Sequence, residues 1–167
     1  MRRRDFLRLA AATAMAANPA AAEVKSPRIG FIEAGSQQEN QSLLDAFRSD
    51  LSALGWTDGS NIAVLDRWAE GDTEQPPAII KELIGSDITV LVTAGTPATL
   101  AAKQATATVP IVFVGVDDPV SVGVVDSLGQ PGGNATGVLS KRGASLVAML
   151  TATPSLAGCP WMRRSAS

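Results

Sequence analysis

Short apolar runs rich in β-branched residues alternate along this chain with longer segments whose apolar residues recur every three or four positions. Residues 28–32 (Arg-Ile-Gly-Phe-Ile) predict a first strand. The apolar residues that follow have the spacing of one buried helix face: Leu43, Leu44, Phe47, Leu51 and Leu54. We expect this helix to end at Gly55, because glycine readily adopts the left-handed conformation that closes helices.

The same alternation continues through the middle of the chain. Residues 62–65 predict a second strand that ends by residue 68, and Pro76-Pro77 opens a second helix that closes at Gly85. Residues 88–92 (Ile-Thr-Val-Leu-Val) show no alternation of apolar and polar residues. This pattern indicates burial on both faces, as in a parallel sheet that helices cover.

The third part of the chain repeats the unit. Thr96 is expected to be an N-cap, with Pro97 in the first turn of a helix that runs to about residue 105. Residues 110–114 predict a fourth strand, residues 120–128 a short helix, and residues 135–139 a fifth strand. The fold class predicted is therefore α/β: a doubly wound, mostly parallel sheet with helices on both faces.

In such sheets ligands bind beyond the carboxyl ends of the strands, which selects residues 34–37, 94–97 and 115–118. The candidate ligand-binding residues in these loops are Ser36, Gln37, Gly95, Thr96 and Asp118. Backbone N–H groups and the helix dipole at the Gly95-Thr96 junction favour a carboxylate, although Thr96 serves equally well as a helix cap. Asp118 suits a ligand ammonium group, or an ordinary turn before proline.

The other candidates leave two interpretations open. Ser36 and Gln37 follow the first predicted strand, where they either hydrogen-bond a ligand or belong to a solvated loop. Trp68 ends the second predicted strand, where it either stacks on an aromatic ligand or packs in the core.

Residues 1–22 have the features of an export leader. Arg3, Arg4, Phe6 and Leu7 resemble a twin-arginine signal, and the apolar stretch after them is too short to span a bilayer. Ala20 and Ala22 supply the small residues that a signal peptidase accepts, which predicts a mature start at residue 23. Since no cysteine stands at the start of the predicted mature chain, the product is expected to be periplasmic, soluble and not lipid-anchored. A basic amphipathic surface helix is the alternative.

Charge and composition exclude several classes of function. Residues 23–139 contain six basic and fifteen acidic side chains, a charge of −9, which argues against a nucleic-acid partner. The chain has no histidine and one cysteine, so a transition-metal site and histidine-based catalysis are not expected. On composition alone a carboxylate-based enzyme remains open. Since we find no catalytic constellation, we predict no metal, no cofactor and no catalytic residues, and a protein that is not an enzyme.

Several short motifs occur in one order across residues 28–139: Ile29-Gly30-Phe31, Leu54-Gly55-Trp56, Gly59-Ser60-Asn61-Ile62, Arg67-Trp68-Ala69-Glu70-Gly71, Thr93-Ala94-Gly95-Thr96-Pro97-Ala98, Pro110-Ile111-Val112-Phe113, Asp118-Pro119-Val120 and Pro131-Gly132-Gly133-Asn134-Ala135-Thr136-Gly137. Together they resemble the bacterial ABC-transporter substrate-binding family, whose members include tryptophan and other aromatic amino-acid binders. The resemblance implies a type I periplasmic-binding fold. In that fold two lobes close on a small solute, such as an amino acid, and dock onto an ABC permease in the inner membrane.

The resemblance also divides the chain. Residues 23–139 would form the N-terminal substrate-binding lobe, whereas residues 140–167 do not resemble the continuation into a second lobe. This tail carries four basic and no acidic side chains and is predicted to be disordered, whether as a reading-frame change or as an ordinary flexible extension. A lobe without its partner would bind ligand poorly or not at all.

Two other functions share the predicted fold. One is a flavodoxin-like enzyme or nucleotide-binding domain, but the chain has neither a Gly-x-Gly-x-x-Gly spacing nor a Gly-Lys-Ser/Thr phosphate loop. The other is the sensor domain of a sugar-responsive repressor. Such a domain normally follows a DNA-binding helix-turn-helix, and the predicted leader occupies that place.

Overall fold

A parallel five-stranded sheet organises residues 26–138, the part of the chain that the computed structural model describes. The strands are β1 (Arg28–Glu33), β2 (Ala63–Trp68), β3 (Val90–Ala94), β4 (Ile111–Val114) and β5 (Ala135–Val138). The helices between them are α1 (Gln37–Ala53), α2 (Pro76–Gly85) and α3 (Thr96–Ala105). The predicted α/β sheet is confirmed.

The strand order is β2-β1-β3-β4-β5, so the direction in which the sheet grows reverses beside β1. Glu33, the last residue of β1, pairs with Trp68 on one side and with Ala94 on the other. At such a reversal the chain leaves two neighbouring strands toward opposite faces of the sheet. This opens a crevice beyond their carboxyl ends.

Apolar side chains cover both faces of the sheet. On one face Phe31 of β1 packs against Phe47 of α1, with ring centroids 5.9 Å apart. On the other face Ile32 packs with residues of α2 and α3, including Leu83 and Ala98. All five residues of β3 are buried, as expected for a strand between two helical layers. Burying a phenylalanine or leucine in this way stabilises the fold by about 1.5–3 kcal/mol.

Helix α1 ends as its sequence predicts. Gly55 has φ of +84°, its amide donates to the Ser52 carbonyl, and the Trp56 amide donates to the Leu51 carbonyl. These two bonds form a Schellman motif, which satisfies carbonyl groups that the helix leaves without a partner.

Two local predictions are wrong. Thr96 is not the N-cap of α3, because Gly95 has the non-helical backbone (φ +89°, ψ 155°) and Thr96 is already helical. Residues 120–128 do not form a helix, since the chain makes one turn in which the Val124 amide donates to the Pro119 carbonyl. Gly123 then takes φ of +74°, which ends that turn.

The predictions for the leader (residues 1–22) and for the tail (residues 140–167) lie outside the described residues. Within residues 26–138, no helix combines the length and the apolar character needed to cross a membrane.

Candidate functional site

Three loops lie side by side at the carboxyl edge of the sheet, because β1, β3 and β4 are adjacent and parallel. The Ala34 amide donates to the Ala94 carbonyl (3.2 Å), and the Gly95 amide donates to the Val114 carbonyl (2.9 Å). These bonds extend the strand ladder into the loops. The site loops predicted from the sequence are therefore neighbours, fixed by backbone hydrogen bonds rather than by side chains alone.

Gly95 lies at the centre of this edge, and its backbone conformation requires glycine. With φ of +89° and ψ of 155° its backbone occupies a region that residues with a Cβ atom rarely adopt. A Cβ placed there would lie 3.4 Å from the Ala34 Cβ and 3.9 Å from Glu33 Oε1. Glycine thus lets the loops after β1 and β3 approach each other closely.

Helix α3 begins directly after Gly95 and points its N-terminus at the crevice. No side chain caps this end, and the first turn contains no acidic residue. Thr96 is half-buried there, and Pro97 occupies the second helical position. The positive end of the α3 dipole is therefore not neutralised by a carboxylate of its own first turn, which suits it to an anionic group.

The start of α1 is arranged differently. Ser36 is the N-cap, but its side chain makes no capping bond, and its carbonyl accepts hydrogen bonds from the backbone and side-chain nitrogens of Asn40. The Gln37 amide instead donates to Glu70 Oε1 at 3.3 Å. The Gln37 side chain donates to Gln41 Oε1 one turn along the exposed surface of α1. The hydroxyl of Ser36 is thus not used by the helix that it starts.

Asp118 follows β4 and is exposed. Its Oδ1 accepts the Ser121 amide at 3.1 Å, so the carboxylate organises the turn after Pro119. The backbone amide of Ser121, and then its side chain, lower the pKa of Asp118 below its ordinary value of 3.8. Hydrogen bonds to the charged form favour ionisation, and Asp118 keeps its negative charge at neutral pH.

Two acidic residues near the crevice were not predicted. Glu33 closes β1 and is 2% exposed, and its Oε1 accepts the Gly35 amide at 3.3 Å. Glu70, in the loop after β2, reaches the start of α1. An acid at the end of an apolar run was the only signal for Glu33. The contact of Glu70 joins residues 33 positions apart and has no local signature.

Trp68 packs against the hydrophobic core and does not project away from it. Its ring centroid is 5.9 Å from that of Phe31, and Nε1 donates to Asp66 Oδ2 at 3.2 Å. These contacts favour the core interpretation of Trp68. Among residues 26–138, no group of three or more histidine, cysteine or acidic side chains is arranged to hold a metal ion.

Comparison with known proteins identifies relatives over most of the described residues. The family model described as ABC transporter substrate binding protein matches residues 29–148. A tyrosine-binding protein of Clostridioides difficile (strain R20291) is 34% identical over 102 residues. That match covers 59% of this chain and 30% of the relative.

Solved structures give the same result. A conserved domain protein from Vibrio cholerae superposes with a TM-score of 0.64 at 31% identity. The ABC domain from Streptococcus pneumoniae in complex with L-Trp superposes with a TM-score of 0.63 at 26% identity. Each match covers 68% of this chain and 38% of the other. The chain thus spans about a third of the length of these relatives.

Proposed function

The chain belongs to the family of ABC transporter substrate-binding proteins, and from that premise we propose that it forms the amino-acid-recognising lobe of the periplasmic component of an ABC importer. The family consists of binding proteins rather than enzymes, and the sheet is that of a type I periplasmic-binding lobe. The observation that carries the proposal is the uncapped N-terminus of α3 at the switch point, which lies between loops that bear acidic side chains.

This arrangement suits a zwitterion. The amides at the start of α3 and the hydroxyl of Thr96 would receive the carboxylate of an amino acid, because the helix dipole favours negative charge there. Asp118, on the neighbouring β4 loop, would receive the ammonium group, because its lowered pKa keeps it ionised. Ser36 would add a hydrogen bond from the opposite side, since its hydroxyl does not cap α1.

Two relatives support an aromatic amino acid as the ligand. One is described as a tyrosine-binding protein and the other was solved with L-Trp. A ligand of this kind requires an apolar enclosure as well as charged ends, and binding sites usually bury most of the ligand surface. One open edge of a sheet supplies partners only for the charged groups of the ligand and leaves its aromatic ring without an enclosure. The matched segment covers only 30% and 38% of the lengths of these two relatives, and we propose that a second lobe completes the enclosure.

Location and partner follow from the same proposal. A leader at residues 1–22 would deliver the protein to the periplasm, and removal of the leader after Ala22 would release it in soluble form. There it would present its closed form to an ABC permease in the inner membrane.

Calorimetry with L-tyrosine and L-tryptophan tests the proposal, with this chain alone and with a chimaera that adds the second lobe of a relative. We expect weak or no binding by the chain and measurable binding by the chimaera, because a single open edge poorly offsets the entropy lost on association. Thr96→Ala or Asp118→Asn in the chimaera should weaken binding at least roughly tenfold, as expected when a charged ligand group loses its partner.

Matched controls separate the site from general effects. Asp45→Asn removes the same charge from the exposed surface of α1, and Thr108→Ala removes a hydroxyl from an exposed loop. Neither should change affinity by more than about twofold. Micromolar binding by the chain alone would contradict the expectation that a single lobe binds ligand weakly. An unchanged affinity in Asp118→Asn would remove that residue from the site.

A further inference from the structure

The loop between β4 and β5 carries most of the large apolar side chains that are exposed among residues 26–138. There are four such side chains, and three of them lie in this loop: Val120, Val122 and Leu128. We call these three residues the β4-loop surface. Exposed apolar residues scattered singly are ordinary, whereas exposed apolar residues that collect in one place mark a surface for interaction.

The backbone of the loop holds the two exposed valines outward. The amides of Val124 and Val125 both donate to the Pro119 carbonyl, at 2.8 and 3.1 Å. The side chains of these two donors are buried in the core, so they anchor the turn to the sheet. Hiding the exposed valines by rotating the turn would expose the buried ones. The β4-loop surface is therefore a fixed feature of the fold.

The same loop is acidic. Residues 115–134 contain three acidic side chains and no basic one: Asp117, Asp118 and Asp126. All three are exposed, and within residues 26–138 none of them forms an ion pair. A partner that fits this loop must present basic side chains together with apolar ones, because complementary charge favours the right partner and its orientation.

The chain leaves the sheet beside this loop. Strands β4 and β5 are parallel, and Val138 at the end of β5 pairs with Val114 at the end of β4. Neighbouring strands lie about 4.8 Å apart, so residue 139 starts next to residue 115, where the loop begins. Whatever follows β5 is thus tethered to the β4-loop surface at a high effective concentration.

Residues 139–150 have the composition that this surface requires. Two basic residues come first and four large apolar ones follow: Lys141, Arg142, Leu146, Val147, Met149 and Leu150. No acidic residue occurs in residues 139–167. Fully extended, residues 139–145 span up to about 24 Å, which is enough for the apolar residues after them to reach the loop. The match to the family model also continues to residue 148, which distinguishes this segment from the rest of the tail.

We propose that residues 139–150 are the partner of the β4-loop surface. The apolar residues of the segment pack on this surface, and Lys141 and Arg142 lie near the three aspartates of the loop. Because the segment is tethered, docking is an intramolecular step that requires little affinity. The disorder predicted for the tail then applies only beyond residue 150. The inference does not rest on the proposed function, since it requires no ligand in the crevice.

A nitroxide spin label in the segment tests the contact in the full chain. The chain has one cysteine, so Cys159→Ser combined with Ala148→Cys gives a single labelling site. The label broadens the resonances of amides that lie near it. We expect the amides of the β4-loop surface to lose most of their intensity. The amides of Ala46 and Ala53, on the exposed side of α1, should keep theirs.

Two pairs of variants identify the cause of the broadening. Leu150→Ser removes an apolar side chain from the segment, and the ratio of docked to undocked chain should fall roughly tenfold. Leu156→Ser makes the same change outside the segment and should leave the ratio unchanged. On the lobe, Val122→Ser should release the segment as well, whereas Leu54→Ser, at an exposed leucine after α1, should not.

Both lobe positions are exposed, and the amides of the sheet report whether each variant keeps its fold. The proposal is overturned if the label leaves the β4-loop surface unaffected or broadens the α1 amides equally. It is also overturned if either control variant acts as strongly as its counterpart. Broadening that passes from a spin-labelled copy to a separate isotope-labelled copy would overturn it too, because a second copy would then be the occupant.

Discussion

The hydroxyl oxygens of Thr93 and Thr99 lie 2.9 Å apart in the buried layer beneath the start of α3. Both residues are fully buried, and Thr99 Oγ1 also donates to the Gly95 carbonyl at 2.8 Å. With the Thr99 proton used in this way, Thr93 is the donor within the pair. Gly95, the residue that joins β3 to α3, is thus linked to both elements by one short chain of hydrogen bonds.

The effects of replacing the two members of this pair should not add, because each hydroxyl loses its partner when the other is removed. Thr99→Val leaves the Thr93 hydroxyl buried without this acceptor, and we expect a loss of about 1–3 kcal/mol in the free energy of unfolding. Thr93→Val leaves the bond from Thr99 to Gly95 intact and should cost less. The double variant should be closer to the native protein than the sum of the single ones, as chemical denaturation of all four proteins would show. Additive losses would mean that the two hydroxyls do not interact.

Gly95→Ala should destabilise the protein by about 1–3 kcal/mol, because its backbone conformation is essentially restricted to glycine. Gly85→Ala is the matched control, since Gly85 is helical, has no positive φ and has no atom near the added methyl group. That change should be neutral or stabilise by up to about 1 kcal/mol. Thermal unfolding of both variants gives the comparison. Equal stability of the two would contradict the strained conformation assigned to Gly95.

Asp118 should titrate below pH 3.8 in the folded protein. A carboxyl group whose pKa is lowered by folding adds stability above its unfolded pKa, and this contribution is lost as pH falls through the folded value. Stability from this group should therefore be constant between about pH 5 and 7. Carbon-detected titration of the carboxyl group measures the pKa directly. In Ser121→Ala the pKa should rise part of the way toward 3.8, because the side-chain contribution is lost and the backbone amide remains.

Export should depend on the arginine pair of the predicted leader. Replacing Arg3 and Arg4 with lysine should retain the protein in the cytoplasm if the leader is of the twin-arginine type. The native chain should reach the periplasm, and its intact mass there should be that of a protein whose first residue is residue 23. Export of the lysine variant at the native level would exclude the twin-arginine route, and a periplasmic product that retains residue 1 would exclude cleavage.

The fold was largely predictable because its determinants are local. The spacing of five apolar residues predicts a buried helix face, and three of them (Leu44, Phe47 and Leu51) are buried in α1. Leu54 is the exception, because it follows the helix and is 41% exposed. The prediction of a helix over residues 120–128 is wrong for a physical reason. Val124 and Val125 are buried, while Val120 and Val122 are about 40% exposed, so the apolar residues follow an irregular turn and not a helix face.

The candidate site was predictable only in outline. Parallel strands place the loops after β1 and β3 together, which is a consequence of topology that the sequence reveals through its alternating elements. The contact between Glu70 and Gln37 is different, because it depends on the loop after β2 folding back onto β1. Neither residue has a spacing or a neighbour that indicates the other. Threonine is common at N-caps, which predicts Thr96 as the cap of α3, whereas the backbone of Gly95 decides where α3 begins.

The interior position of β1 in the sheet has a consequence for how the chain folds during synthesis. Among the described strands β1 is synthesised first, yet both of its edges must wait for strands made later, β2 and then β3. Until the residues of α3 emerge, the face of the sheet that contains Ile32 lacks part of its helical cover. A nascent chain halted before residue 105 therefore exposes apolar surface. Pairing between strands so distant in the chain is slow, and this interval is when we expect aggregation or chaperone binding to compete with folding.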